Sequence, residues 1–295
     1  MDQISRRRFL ERVAATSAAA AFLPIAARET QMNPLGMPIG SQTWPHRQRI
    51  KDGAFAGLCR DMKALGIGSI ELCSPGYAEF GGLADAKATR RIIEDHGLTC
   101  PSAHVTLQEL RTGLPKLIEW AQGIGMTQMG TATLNGKVEN GVAAMDVVKR
   151  LADEYNGMSE TIAKAGMETF LHDEGFEMAK VDGRLVYEVL LELLDPKLVK
   201  MQFQMSAMRV VGDPITYFTK HPGRFISMHL QGVDLKAPMP TAGGPRPPNV
   251  AVGHDSLDWP KIFAAAKTGG LKNYFLEQSW ELTVQGVAYL KTLKV

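Results

Sequence analysis

From Met37 onward, short apolar runs alternate with stretches in which apolar residues recur at helical spacing, the pattern of repeated βα units feeding a parallel sheet. Strands are expected at residues 37–43, 69–73, 99–105, 127–133, within the stretch 167–178, and at 199–205, 224–230 and 273–277. Helices are expected at about 55–65, stopped by Gly66, at 85–96, stopped by Gly97, and at 107–123 and 142–165, the latter closed by Gly166. An amphipathic run follows at 183–194, and Asp213-Pro214 starts a short helix with Pro in its first turn. Asp255-Ser-Leu-Asp258 supplies N-cap chemistry for a helix that ends at Gly269-Gly270, and a last helix covers about 281–293. The Gly- and Pro-rich stretch 236–252 reads as a long loop of the kind that carries function.

Eight such units in a chain of this length predict an α/β protein, a (β/α)8 or TIM barrel, in one domain over residues 28–295. Residues 1–27 read differently. Ser5-Arg6-Arg7-Arg8-Phe9-Leu10 precedes an Ala-rich apolar run, 13–27, that is too short to span a bilayer comfortably, the arrangement of a twin-arginine export signal. The expectation is a periplasmic or secreted protein with no stable membrane span after cleavage. Loss of 1–27 removes four Arg against one Asp and one Glu, which takes the formal charge from +2 to 0. A neutral chain has no electrostatic footprint for nucleic acid. The sequence leaves room for a homo-oligomer. Three cysteines, Cys59, Cys73 and Cys100, lack metal spacing and read as buried small hydrophobes.

The candidate chemistry lies in the strands. The stretch Met167-Glu-Thr-Phe-Leu-His-Asp-Glu-Gly-Phe-Glu-Met178 puts Glu168, Phe170, His172 and Glu174 on one face of a strand, where an unpaired buried carboxylate would cost several kcal/mol. Later strands end on Gln202 and Gln204, on His229 and on Glu277. Active sites of α/β barrels lie at the C-terminal ends of the strands. That rule makes Gln42, Trp44, Glu71, His104, His172, Glu174, Gln204, His229 and Glu277 the candidates. Oxygen ligands with an imidazole suit a divalent Mn, Mg, Co or Zn ion, which polarises the oxygens of a sugar.

Four segments, Ala64-Leu-Gly-Ile-Gly-Ser-Ile-Glu-Leu72, His172-Asp-Glu-Gly-Phe-Glu177, Pro222-Gly-Arg-Phe-Ile-Ser-Met-His-Leu230 and Val252-Gly-His-Asp-Ser-Leu-Asp-Trp259, together with Tyr274-Phe-Leu-Glu277, resemble the xylose isomerase-like barrels called sugar phosphate isomerases/epimerases. The resemblance covers nearly the whole chain after residue 27. It implies a metal site from strands five to eight, which by position falls on Glu174 or His172, Gln204, His229 and Glu277. Two departures stand out: His172-Asp173-Glu174 replaces a common His-Asn-His, and Gln204 replaces an Asp. The implied chemistry is proton abstraction next to a carbonyl, with Glu174 and Glu277 as the acid/base pair and Gln42, Trp44, Glu71, His104 and His172 around the substrate. The expected activity is a metal-dependent isomerase or epimerase of a small sugar. The alternatives are a lyase or hydrolase acting on keto-glycosides and a barrel that binds sugar without turning it over.

Overall fold

Eight parallel strands hydrogen-bond in chain order and the last closes on the first: β1 (Gly40–Gln42), β2 (Ser69–Cys73), β3 (Thr99–His104), β4 (Gln128–Thr131), β5 (Glu168–His172), β6 (Val199–Gln204), β7 (Phe225–Leu230) and β8 (Asn273–Leu276). The computed structural model describes residues 34–237 and 249–295, so the expected export signal and most of the Gly- and Pro-rich stretch lie outside the described residues. A two-stranded hairpin, Lys180–Val181 with Arg184–Leu185, sits in the connection after β5.

The outer layer is eight helices: α1 (Phe55–Leu65), α2 (Ala86–Asp95), α3 (Leu107–Ile124), α4 (Met145–Lys164), α5 (Val186–Leu193), α6 (Pro214–Lys220), α7 (Trp259–Gly269) and α8 (Trp280–Leu290). Their ends follow local chemistry. Asp85, Asp213 and Asp258 each accept a backbone N–H from the first turn of α2, α6 and α7, and Thr106 and Glu109 form a reciprocal capping box on α3. Gly66 closes α1 in the left-handed region, φ 103°, which a residue with a Cβ adopts only at a cost.

Several boundaries differ from expectation for visible reasons. Val142 pairs in isolated bridges with Glu139 and Lys180, so α4 starts at Met145 and not at 142. The long helix α3 breaks at Gly113, whose φ of −143° is not helical, two residues before Pro115. Thr43 and Glu277, expected inside strands, lie one residue past β1 and β8, yet their backbone N–H groups still donate to the carbonyl oxygens of Glu71 and Leu230 on the neighbouring strands at 3.0 and 3.1 Å.

Alternation sorts each strand into an outer apolar face and an inner face. Phe203 on β6 points outward into Tyr217, Phe218 and Phe225, with ring centres 5.7–6.1 Å apart, while its neighbours Gln202 and Gln204 belong to the inner face. Inside, Phe170 and Phe275 fill the middle of the barrel because Gly130 and Gly40 leave them room. A Cβ on Gly130 would lie 2.4 Å from the Phe170 ring, and one on Gly40 would lie 2.6 Å from the Phe275 ring. Above these rings the interior turns polar. Cys59, Cys73 and Cys100 are all free and buried.

Candidate active site and metal centre

Register decides which polar residues meet. Gln42 pairs with Glu71, Glu71 with Ser102, His172 with Gln202, Gln204 with His229, and His229 with Phe275, two residues below Glu277. The inner polar residues therefore fall into two levels at the C-terminal ends of the strands.

The lower level is built on Glu71, which is fully buried. Its Oε1 accepts from Ser102 Oγ at 2.6 Å and from Gln202 Nε2 at 2.9 Å. Its Oε2 lies 2.5 Å from His229 Nε2 and 3.4 Å from His104 Nε2. His104 Nε2 in turn is 2.6 Å from Gln202 Oε1. Burial pushes the Glu71 carboxyl up, but the His229 and His104 rings beside it outweigh burial and hold it at about 2. Burial likewise lowers His229, and Glu277 and Glu71 overcome that and raise it to about 10 in the absence of a bound cation.

The upper level faces the mouth. Glu277 Oε2 accepts from Gln204 Nε2 at 2.6 Å and from Gln231 Nε2 at 2.9 Å, and it lies 3.3 Å from His229 Nδ1 without hydrogen-bond alignment. Burial raises the Glu277 carboxyl, but the His229 charge and these hydrogen bonds lower it overall. Glu174, just past β5, has a half-exposed side chain with Oε1 3.9 Å from His172 Nε2. Burial and then the Glu277 charge raise its carboxyl. Two neighbouring carboxylates thus have protonation tendencies pushed in opposite directions, the pattern of an acid and a base.

The site also holds buried polar atoms without a hydrogen-bond partner: both nitrogens of His172, Nδ1 of His229 and Oε1 of Gln204. Desolvation, reinforced by His229 and His104, lowers His172 well below the ordinary histidine range, so its ring is neutral and offers a lone pair. Ligand atoms of His172, Glu174 and Glu277 lie within 4.8 Å of one another, and so do those of His104, His172 and His229. Neutral imidazoles, carboxylates and an amide oxygen left without protein partners are the donor set of a divalent cation, so the residues fit one.

No protein-family model matches the sequence, and no curated protein matches it. Solved structures match over most of the chain. A sugar phosphate isomerase/epimerase from Parabacteroides distasonis ATCC 8503 superposes with a TM-score of 0.66 at 19% identity, over 86% of this chain and 93% of that one. The chain has the fold of the xylose isomerase-like barrels. A xylose isomerase-like TIM barrel protein from Mycobacterium smegmatis in complex with magnesium gives 0.61 at 15% identity, over 86% and 95% of the two chains. An L-ribulose 3-epimerase gives 0.61 at 15%, over 85% and 86%.

In this barrel the residues expected at the substrate divide. Gln42 is buried, its Oε1 accepting from Trp44 N–H and its Nε2 3.5 Å from Cys73 Sγ, which leaves its amide committed. Glu71 and His104 lie in the lower level, and the oxygens of Glu71 are already occupied. Both residues were expected around the substrate. His172, the expected alternative to Glu174 as strand-five ligand, stands among the metal-competent groups together with Glu174. Trp44 is half-buried and packs edge-on against Tyr77 at 5.5 Å, with the Arg47 guanidinium 4.5 Å over its ring. Gln202, Ser102 and Gln231 were not anticipated as site residues. The alternation of Gln202 with Gln204 and of Ser102 with His104 placed the first two on the inner face, and Gln231 follows His229 by two positions.

Proposed function

We propose that this chain is a divalent-metal-dependent isomerase or epimerase of a small sugar or glycoside, working by proton abstraction next to a carbonyl. The observation that carries the reading is the set of unpartnered buried atoms on His172, His229 and Gln204 facing two carboxylates whose proton affinities are pushed apart. His172, His229 and Glu277 would hold the ion, with Gln204 Oε1 and Glu174 as the remaining donors. When bound, it supplies positive charge that stabilises negative charge developing on the substrate oxygens.

The protein's own groups do the rest. Glu277, its carboxylate held by hydrogen bonds from Gln204 and Gln231, takes the proton from the carbon next to the carbonyl; the C–H electrons form the new C=C bond and the carbonyl π electrons move onto oxygen, giving an enediolate. Glu174, half-exposed at the mouth, delivers a proton to the opposite face of the same carbon, or to the neighbouring carbon while the hydroxyl proton passes from one substrate oxygen to the other. Glu277 then gives up the proton it took and Glu174 takes one up from water, which resets the pair. Gln231 and Gln204 fix the Glu277 carboxylate by two hydrogen bonds, so its free oxygen keeps one direction. The basic, Ala-rich segment 1–27 supports export by the twin-arginine route, and export favours unphosphorylated sugars over phosphorylated intermediates of the cell interior.

The test is solvent exchange. Metal-loaded protein is incubated in D2O with a panel of aldoses and ketoses, and deuterium at the carbon next to the carbonyl is read by NMR. Incorporation that needs metal and is lost in Glu277→Gln is the expected result. A protein that takes up no divalent ion and exchanges no sugar would overturn the reading and favour a barrel that only binds.

A further inference from the structure

Every hydrogen bond around Glu71 has a fixed direction once the carboxylate is taken as an acceptor, which is all an ionised carboxylate can be. Gln202 gives its NH2 to Glu71 Oε1, so its carbonyl oxygen faces His104 Nε2, and that nitrogen has to carry a hydrogen. His229 Nε2, 2.5 Å from Glu71 Oε2, also has to carry one. The hydrogen on Nε2 leaves Nδ1 as the nitrogen of His229 that a cation can use, and Nδ1 is the atom left without a partner next to Glu277. One carboxylate on β2, fully buried and with both oxygens taken by protein groups, reaches to β3, β6 and β7.

We propose that Glu71 is a positioning residue that sets the proton pattern of two histidines, holding hydrogens on Nε2 of both His104 and His229 and so presenting His229 Nδ1 to the metal. The part concerning His229 rests on the metal reading above; the part concerning His104 does not. The pairing follows the general habit of metal-bound imidazoles to donate their other N–H to a carboxylate or carbonyl, an arrangement whose loss lowers metal affinity ~10–100-fold.

Glu71→Gln makes the inference testable because an amide cannot accept on both sides. If its oxygen takes the His229 hydrogen, its NH2 faces Gln202; the Gln202 amide then turns over, and its NH2 points at His104 Nε2, which becomes an acceptor with the hydrogen moved to Nδ1. If instead the new NH2 faces His229, the hydrogen on that ring moves to Nδ1 and the metal loses its ligand atom. One of the two rings has to reverse.

The experiment uses the full chain with 15N-labelled histidine. His104 is read in metal-free protein, and His229 is read with Zn2+ bound, since zinc is diamagnetic. Hydrogen on Nε2 of both rings is expected in the wild type. In Glu71→Gln the expected result is reversal of His104 with zinc affinity largely kept, or reversal of His229 with zinc affinity lowered ~10–100-fold. A wild type with hydrogen on His104 Nδ1, or a Glu71→Gln variant in which both rings keep the wild-type pattern, overturns the proposal. Failure of the wild type to bind zinc sinks the metal reading alone, because the His104 pattern is still read without metal. The isosteric amide keeps the buried volume, and an unchanged thermal midpoint separates a change of protons from a loss of fold.

Discussion

Gln204 donates its amide to Glu277 and leaves its carbonyl oxygen unpaired, so the amide both steadies one carboxylate and offers a donor to a cation. Gln204→Asp replaces that N–H with a third negative charge beside Glu277 and Glu174. It should tighten divalent-metal binding and raise the proton affinity of both glutamates by like-charge repulsion. Glu174→Gln should weaken metal binding. Each change is expected to alter affinity ~10–100-fold. Metal titrations of the two single variants and the double exchange read the coupling, and strictly independent effects would mean that the two positions share no ion.

A second residue-scale consequence concerns Glu177, buried beside Leu134, whose N–H donates to its Oε1 at 2.8 Å. Burial raises its carboxyl from 4.5 to about 8, so the folded protein keeps a proton that the unfolded chain releases in this window. The unfolded state then binds fewer protons, and stability falls as pH rises from 4.5 toward about 8. Glu177→Gln keeps an acceptor for Leu134 and removes the ionisable group. Urea unfolding at about pH 5 and pH 8 should show a smaller loss for the variant than for the wild type.

At the scale of elements, the two kinds of glycine in the barrel predict opposite outcomes. Gly130 on β4 has no room for a Cβ, which would meet the Phe170 carbonyl oxygen at 2.0 Å. Gly130→Ala should cost about 3 kcal/mol or more through overpacking. Gly157, exposed on α4 with nothing within 4 Å of its would-be Cβ, should gain about 0.5–1 kcal/mol as Ala. Denaturant midpoints of both variants check the pair. The same local chemistry explains what could be read from the sequence. Helix α1 with its Gly66 stop and strand β2 were legible to the residue because periodicity and a left-handed cap agree. The α3 break was not, since Gly113 and Pro115 lie within an apolar pattern that continues across them. Alternation showed that Glu71, His104, Gln202 and His229 face inward, but not how deep they sit. Depth depends on the stagger between neighbouring strands, including the register shifts at β2–β3 and β6–β7, and stagger leaves no local mark in the sequence.

For the whole molecule, closure of the sheet makes residues far apart in sequence into one site: His104 and Gln202 meet across 98 positions and His229 and Glu71 across 158. A cation shared by β5, β7 and β8 would tie separate strands together, so metal addition should raise the thermal midpoint by several degrees at roughly 100-fold excess over its dissociation constant. A chelator should reverse the rise. Export as proposed adds an independent expectation. A chain begun near Arg28 should fold with the same midpoint and take up the same metal, and failure of that chain where the full one succeeds would contradict a dispensable signal.

The three sealed thiols give the barrel a clock. Cys59 lies on α1, Cys100 on β3, and Cys73 at the end of β2 against the Gln42 amide. Burial raises Cys59 to about 12 and pushes Cys73 and Cys100 up as well, so thiolate, the form that reacts, is scarce while the fold is closed. An alkylating reagent at neutral pH should therefore label molecules only as they open, and mass spectrometry of the three peptides would time each region separately. Cys73, nearest the mouth, should be the label that slows most when a divalent ion is bound.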